Sequence, residues 1–408
     1  MKLGEDRGVR RTDRRTPGRR PSPSTPDPFL RPGPLEVAAG WVYGHTPATP
    51  LPVTRVSPRA ALDDVIRPAL VSGPCYVTFS GGRDSSAVLA AATALARREG
   101  HAPPVPVTRV YPDIPATDES DWQRAVIEHL GLTEWIRLEL REGESDLLGP
   151  AARAALARRG VLWPPALQSH GVVFDHLRGG HLLTGEGGDA VLGARRVTPV
   201  AGLRQRRRPD RRLLAYSAQS VLPRVARRTF ARRLARTSVQ HRWLRPAAFE
   251  RHVRLLTADA TAEPLGYCAA TWSITHQRSF VTIRHNHTVA AAEYGVRASD
   301  PLLDPRFVAA LAHAGGRLGF PGRTATMQAL FSDVLPSTVL HRSSKASFNR
   351  AHAGAATREF ARGWDGSGVD EALVDADRLR AVWLSDTPTM ATGVLLHQAW
   401  LADAGLAP

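Results

Sequence analysis

The sequence predicts an α/β fold: a parallel sheet with helices on both faces, joined to a helical C-terminal part. Short runs of β-branched and aromatic residues alternate with helical patterns as far as residue 194, and two glycine-rich segments directly follow predicted strands. From residue 195 onward the pattern is helical, with no second series of strands. Strands that alternate with helices indicate a parallel sheet. A hydrophobic content of 43% over 408 residues is enough for a sizeable core.

The strands and helices are predicted from the local spacing of apolar residues and from the glycines that end helices. A helix over 60–70 leads into the first strand, and Gly100 and Gly131 end two later helices. The predicted strands cover 75–79, 105–111, 136–140 and 181–184. The predicted helices between them cover 84–98, 120–130, 149–159 and 169–178. Ligands bind at the carboxyl ends of parallel strands, so the residues after the strands are the candidates for a site.

Composition divides the chain into three regions. Residues 1–35 are rich in Arg, Pro, Ser and Thr, which predicts a disordered basic tail. Residues 36–57 form a lead-in in which one or two short strands are expected. The remainder, 58–408, divides into a nucleotide-binding α/β part (58–194), an arginine-rich segment (195–260) and a helical part (261–408).

The first glycine-rich segment predicts an anion site. Ser80, Gly81 and Gly82 turn the first strand into a helix, and two glycines let backbone N–H groups approach a ligand. A helix N-terminus also favours a phosphate. Asp84 would repel that phosphate unless Mg²⁺ lies between them. The alternative is a tight turn with Ser80 as a helix cap, and the segment lacks the Gly-Lys-Ser/Thr ending of a Walker loop.

The second segment, 185–189, places two carboxylates three residues apart beside flexible glycines. After a strand, both can face the same crevice. Asp189 could complete a magnesium site with Asp84, and Glu186 could accept a proton or orient an amine. The alternative is a turn in which Asp189 caps the next helix.

Taken in order, these motifs resemble the synthetase domain of asparagine synthetases. Ser-Gly-Gly-Arg-Asp-Ser over 80–85 resembles the pyrophosphate loop of ATP pyrophosphatases, which split ATP between the α and β phosphates. Thr-Gly-Glu-Gly-Gly-Asp follows about a hundred residues later. Further matches, covering about 58 to 400 in all, lie at 117–120, 300–306, 335–336 and 342–348.

The resemblance implies an adenine nucleotide alpha hydrolase-like fold, ATP and Mg²⁺ as cofactors, and a role for each matching residue. Magnesium would bind Asp84 and Asp189, Thr184 and Gly185 would lie near the adenosine, and Glu186 and Lys345 would be catalytic. Lys345 would stabilise charge that gathers on phosphorus. The implied pyrophosphate-binding residues are Ser80, Gly81, Gly82, Asp84 and Ser85.

Some features depart from the family pattern. Position 2 is Lys where family members with a glutaminase domain carry a nucleophilic Cys, and no such domain fits before residue 58, although the lead-in resembles a remnant of its tail. Ala190 replaces a usual acidic residue, and an extra Ser separates Arg342 from Lys345. These departures resemble relatives that let an amine attack an activated carboxylate, such as lasso-peptide macrolactam synthetases and β-lactam synthetases.

The formal charge of +16 is concentrated in one stretch. Eighteen arginines lie between residues 195 and 254, against two acidic residues, whereas lysine occurs only at Lys2 and Lys345. Such basicity indicates an anionic partner, or an arginine-biased composition on solvated helices. Two cysteines are too few for a disulfide framework, so a reducing cytoplasm is expected. No apolar stretch is long enough to span a membrane.

Three functions fit these observations. The first is an AMP-forming amide ligase that adenylates a carboxylate for attack by ammonia or a substrate amine, with a precursor peptide and a protease as possible partners. Asparagine synthesis with ammonia from a partner is a variant of it. The second is an RNA-modifying ATP pyrophosphatase relative, which the unpaired cysteines disfavour. The third is a non-catalytic binding protein, which the intact acidic residues and Lys345 oppose. His285-Asn286-His287 is expected to serve helix packing rather than metal binding.

Overall fold

The structure, a computed structural model, describes residues 27–141, 143–205, 208, 210–238, 241–342, 349–386 and 388–406. A five-stranded parallel sheet has the order β3-β2-β1-β4-β5. Its strands are β1 (Cys75–Thr78), β2 (Val105–Val110), β3 (Ile136–Glu139), β4 (His181–Leu183) and β5 (Arg297–Ser299).

Helices surround this sheet and form most of the remaining chain. In the first half they are α1 (Pro34–Ala39), α2 (Pro58–Val71), α3 (Arg83–Glu99), α4 (Ser120–Leu130), α5 (Pro150–Arg159), α6 (Gly171–Phe174) and α7 (Gly188–Val191). Next come α8 (Thr198–Gln205), α9 (Arg211–Val221), α10 (Arg224–Ser238), α11 (Pro246–Ala262), α12 (Tyr267–Ser273), α13 (Arg278–Ala292) and α14 (Pro305–Gly315). The last are α15 (Arg323–Phe331), α16 (Ser337–Leu340), α17 (Asn349–His352), α18 (Ala355–Gly363), α19 (Ala376–Trp383) and α20 (Gly393–Asp403).

Both faces of the sheet are covered, which confirms the predicted fold class. Val77 and Leu183 lie in a core that they share with α2, α3 and α14. Their strand neighbours Tyr76 and Leu182 lie in the core on the opposite face, with α6 and α13. Successive side chains of a strand point to opposite faces, so this division requires helices on each side.

A separate helical core forms away from the sheet. Trp243 and Trp383 are almost fully buried there, beside Leu395 of α20. Helix α1 joins this core: Pro34 occupies its first turn, the Glu36 carboxylate accepts the Gly33 N–H, and Gly40 ends it with φ 61°.

The prediction of no strand beyond residue 194 was wrong, because β5 completes the sheet. Its sequence, Arg-Ala-Ser, shows no apolar alternation, and only Ala298 is buried. Parallel pairing with β4 places Ala298 opposite Leu182. The strand is therefore specified by its neighbour rather than by its own sequence.

The prediction for the N-terminal regions also needs correction. Residues 1–26 lie outside the described residues, but the predicted disorder does not extend over 27–35. Phe29 is buried in the core beneath the sheet, and the Leu30 N–H donates to the Asn286 side chain at 2.9 Å. In the lead-in, where short strands were expected, the structure has the end of α1 and an isolated bridge between His45 and Gln277.

The helix predicted over 169–178 is broken into short pieces. A 3-10 turn at Pro165–Ser169 leads into α6, and a second turn at Asp175–Leu177 follows. The apolar spacing that indicated one helix is used instead by Val173, Phe174 and Leu177, which pack on the sheet. In the described part of the chain, no helix has the length and hydropathy that a bilayer crossing requires.

Candidate active site

The first glycine-rich loop connects β1 to the N-terminus of α3. Gly81 has φ +81°, and a Cβ there would come within 3.0 Å of the Gln123 side chain, so this position requires glycine. Gly82 is the N-cap of α3 and has no capping side chain. The Ser85 hydroxyl donates to the Gly82 carbonyl at 3.1 Å and lies 3.2 Å from the Ser80 hydroxyl. These contacts hold the loop around the helix N-terminus, as an anion site requires.

The second glycine-rich loop packs directly against the first. A Cβ at Gly185 would lie 2.7 Å from the Ser85 nitrogen, and a Cβ at Gly188 would lie 2.5 Å from the Asp84 Cγ atom. Gly187 has φ +74°. Glycine is therefore required at these three positions for steric or backbone reasons, and the two predicted loops form one site.

A cavity of about 590 Å³ opens at this junction, at the carboxyl ends of the strands. Gly81 is not among the residues that line it. The predicted site residues that line the cavity are Ser80, Gly82, Asp84, Ser85, Thr184, Gly185, Glu186 and Asp189. Lys345 lies outside the described residues, so its predicted position and role are not tested.

Acidic groups accumulate on one wall of this cavity. Burial raises the pKa of Asp84, and the nearby Asp189 raises it further, against the effect of Arg323. Burial also raises the pKa of Glu186, with Asp300 and Asp189 adding to the effect. Carboxylates that raise one another's pKa in a closed space form a site that favours a cation.

The two aspartates fit a magnesium site of the kind that nucleotides complete. Among the described residues, no cluster of three or more His, Cys, Asp or Glu side chains is arranged to hold a metal alone. Mg²⁺ is usually bound by one or two carboxylates together with substrate phosphates. Asp84 and Asp189, beside a loop shaped for phosphate, match that donor set.

Sequence reasoning missed Arg323, the first residue of α15. Its Nη2 atom lies 2.6 Å from each carboxylate oxygen of Asp84. Arg83 also lines the cavity. Both cations lie where the charge of a triphosphate would gather. No sequence signal distinguishes Arg323 from the many other arginines of the chain, because the helix that carries it is remote from both loops in sequence.

Arg342 ties the chain before Lys345 to the first loop. It forms an ion pair with Glu119, donates to the Gly81 carbonyl at 2.8 Å and lies 4.7 Å from the ring centre of Trp122. Glu119 lies in the family match at 117–120, and Arg342 begins the match at 342–348 that contains Lys345. Two motifs distant in sequence therefore meet at the first glycine-rich loop.

A second part of the cavity lining, the apolar wall, consists of apolar and aromatic side chains. Imidazole rings of His170 and His287 accompany these side chains, with ring centres 6.0 Å apart. Burial lowers the pKa of His170 well below its usual value, so that ring is neutral at pH 7. The apolar residues of this wall are Pro164, Leu167, Val173, Phe174 and Ile283.

The packing role expected for His285-Asn286-His287 is only partly confirmed. Asn286 is buried, and its side-chain amide donates to the carbonyls of Leu30 and Trp163. His285 is exposed and contacts the Pro28 carbonyl. His287, in contrast, lines the cavity, since residues one apart on a helix face different directions.

Comparison with known protein families agrees with this geometry. The family model described as asparagine synthase matches residues 59–402. The chain belongs to the asparagine synthase family. No curated protein matches it significantly. Family membership makes the protein an ATP-dependent ligase that forms carbon–nitrogen bonds, and the match covers nearly the whole range, 58 to 400, over which the motifs indicated it.

Proposed function

We propose that this member of the asparagine synthase family adenylates a substrate carboxylate with ATP and Mg²⁺, releases pyrophosphate, and joins the acyl group to a nitrogen nucleophile with release of AMP. The observation that carries the proposal is the steric contact of the two glycine-rich loops, which brings Asp84, Glu186 and Asp189 into one cavity. In-line attack at the α phosphorus requires the pyrophosphate to be bound on the side opposite the attacking carboxylate. The loop at the N-terminus of α3 can bind it there.

Each residue of the site has a proposed part in this reaction. The Ser80–Ser85 loop binds the leaving pyrophosphate, and Arg83 and Arg323 stabilise its growing charge. Asp84 and Asp189 hold Mg²⁺, which neutralises phosphate charge when bound. Glu186 orients the attacking amine, and Lys345 stabilises charge as the acyl-adenylate forms and collapses.

The apolar wall supports a substrate other than free aspartate. Aspartate carries a second carboxylate and an ammonium group, which both require polar partners. Pro164, Phe174 and Ile283 offer apolar contacts that aspartate would not use, beside polar lining residues such as Arg109 and Gln123. We therefore propose a carboxylate on a larger body, such as a peptide side chain, joined to an amine of the same chain in a cytoplasmic macrolactam-forming reaction.

The arginine-rich segment supports a peptide substrate with acidic character. Helices α9 and α10 expose apolar side chains among their arginines: Leu214 is 49% exposed, Tyr216 58% and Val225 78%. Arg232 and Arg236 pair with Glu250 of the same chain, an example of the contact that we propose for acidic residues of the peptide. We propose that the segment binds acidic residues of the peptide while its carboxylate enters the cavity.

The test is carboxylate-dependent exchange of labelled pyrophosphate into ATP, with product analysis for AMP. A panel of aspartate, glutamate and peptides with and without an acidic stretch separates asparagine synthesis from peptide activation. Transfer RNA as the stimulating substrate would support the RNA-modifying alternative instead. ADP as the product would reject the proposal.

Substitutions locate this activity in the proposed site. Asp84→Ala is expected to abolish exchange because it removes a metal ligand, and Lys345→Ala to reduce exchange and AMP release by about 100-fold or more. Lys2→Ala is the matched control, because Lys2 is the other lysine of the chain and precedes the family match. Equal activity of Lys345→Ala and Lys2→Ala would contradict the role of Lys345.

A further inference from the structure

His287 and Asp300 form a paired group at the edge of the cavity. His287 lies on α13, and Asp300 directly follows β5. The His287 Nδ1 atom is 3.5 Å from an Asp300 carboxylate oxygen, and the Asp300 side chain is only 2% exposed. A buried carboxylate beside an imidazole fixes the orientation of the ring.

The orientation of Asp300 is fixed in turn by the second glycine-rich loop. The Thr184 hydroxyl donates to Asp300 at 2.5 Å, and the same hydroxyl accepts the Glu186 N–H at 3.1 Å. The pair therefore shares its contacts with the loop that carries Glu186. Burial would raise the pKa of Asp300, but His287 and Thr184 beside it hold the pKa below its usual value. The carboxylate is thus ionised at neutral pH.

This arrangement leaves one imidazole nitrogen available to the cavity. When Nδ1–H donates to Asp300, Nε2 carries a lone pair. The described residues provide Nε2 with no hydrogen-bond partner, and the ring lies against Phe174 with centres 5.7 Å apart. An imidazole held by a buried carboxylate, with its second nitrogen available to the cavity, is an arrangement suited to general base catalysis.

We infer that His287, positioned by Asp300, accepts the proton that the incoming ammonium group must lose before its nitrogen can attack the acyl-adenylate. The inference rests on the proposed ligase function. The amine nitrogen forms a bond to the acyl carbon, the bond from that carbon to the AMP oxygen breaks, and AMP leaves with the electron pair. The first N–H proton passes from the ammonium group to His287 Nε2 and then to solvent before the attack. The second, which the nitrogen loses once it has bonded to the acyl carbon, passes to the phosphate of the departing AMP. Asp300 is a positioning residue and remains ionised.

A base at this position is needed only in the second half-reaction, in which the amine attacks the acyl-adenylate. A protonated amine has no lone pair and cannot attack, whereas adenylation needs no proton transfer from a nitrogen. Glu186 lies on the same side of the cavity and can hold the incoming ammonium group through its charge. His287 and Glu186 then have separate parts: Glu186 orients the nucleophile and His287 deprotonates it.

The experiment separates the two half-reactions in His287→Gln and Asp300→Asn. The carboxylate substrate is the panel member that supports pyrophosphate exchange best. Amide formation is measured with the amine of that substrate or with added glycinamide, and hydroxamate formation with added hydroxylamine. Hydroxylamine is mostly unprotonated at neutral pH, so its nitrogen can attack without prior removal of a proton. We expect unchanged pyrophosphate exchange, amide formation reduced by about 100-fold or more, and hydroxamate formation close to that of the unaltered protein. His285→Gln, on the same helix but exposed, is the matched control and should change neither product.

The outcomes are distinguishable. Unchanged amide formation in His287→Gln overturns the inference and leaves the proposed function intact. Equal loss of exchange, amide and hydroxamate in both variants also overturns it, since that pattern indicates a structural role. Absence of exchange in the unaltered protein, with every carboxylate of the panel, overturns the proposed function and the inference together.

Discussion

Gly188 shows most directly how single residues define the site. It begins α7, and its missing side chain leaves room for the Asp84 carboxylate of the other loop. The sequence indicated that the glycines of 185–188 provide flexibility. The structure shows that Gly185 and Gly188 are also required for steric reasons, because a Cβ at either position would collide with atoms of Asp84 or Ser85.

Gly188→Ala is therefore expected to abolish most pyrophosphate exchange with little effect on folding. The new methyl group would displace Asp84 from Asp189, and a misplaced ligand by about 1 Å can cost about 100-fold in rate. Gly266→Ala is the control, because nothing lies within 4 Å of a Cβ there and its φ is −72°. Exchange rates and thermal unfolding of both variants would be measured. Similar exchange in Gly188→Ala and Gly266→Ala would contradict the steric coupling of the loops.

At the residue scale, the sequence was a good guide to the loops and a poor guide to their partners. The motif at 80–85 carries its own information because glycine, serine and aspartate meet at a strand-to-helix turn. Arg323 carries no such information. The segments noted at 285–287 and 300–306 did not indicate that His287 and Asp300 meet, since one lies on a helix and the other follows a short strand. Only the packing of α13, α15 and β5 around the loops brings them to the cavity.

At the scale of elements, the segment before α1 contributes more to the stability of the fold than its composition indicates. Phe29 inserts into the core below the sheet, and Asn286 of α13 holds the backbone of Leu30 through its side-chain amide and carbonyl. This contact joins a segment expected to be disordered to the helix that carries His287. The apolar content of 27–35 is low overall, but one buried aromatic ring is enough to fix it in place.

Phe29→Ala is expected to lower the free energy of unfolding by about 3 kcal/mol. Removal of the ring leaves a void between α13 and the sheet, whereas the neighbouring Leu30, 40% exposed, loses little when it is truncated. Denaturant unfolding of Phe29→Ala and Leu30→Ala would measure the difference. If both substitutions had the same small effect, the segment would not be an integral part of the fold.

Strand β5 and the broken helix around α6 are the elements that the spacing of apolar residues failed to predict. The predicted strands at 75–79 and 105–111 have apolar runs of their own and appear within one residue of their predicted ends. Strand β5 has three residues, and only its pairing with β4 creates it. Helices α5 and α4 match their predictions because their stop signals, Gly160 and Gly131, are local.

For the molecule as a whole, buried histidines link stability to pH. His252, His352 and His397 are almost inaccessible to solvent, and burial lowers the pKa of each from 6.5 to about 4. They remain neutral in the folded state while the unfolded chain binds protons. Their contribution is therefore complete above pH 6.5 and is lost as the pH falls toward 4. The raised pKa values of Asp84 and Glu186 act in the opposite sense over the acid range.

The free energy of unfolding is expected to decrease between pH 6.5 and pH 4. Each histidine contributes about 3 kcal/mol at neutral pH, on the basis of about 1.4 kcal/mol per pKa unit. Denaturant unfolding across this range would measure the slope, and His397→Gln should make it shallower than the exposed His285→Gln. A free energy that stays constant or rises as the pH falls would contradict this assignment.

The sequence by itself determined four of the five strands, the two glycine-rich loops and the family, because those features depend on short-range patterns: strand composition, helix stops and glycines at fixed spacing. Tertiary structure alone decided which side chains complete the cavity. Arg323, Arg342, His287 and Asp300 lie more than a hundred residues from one or both loops, and their positions depend on how helices and a three-residue strand pack. The physical reason is that packing is set by contacts between distant segments, which no local pattern records.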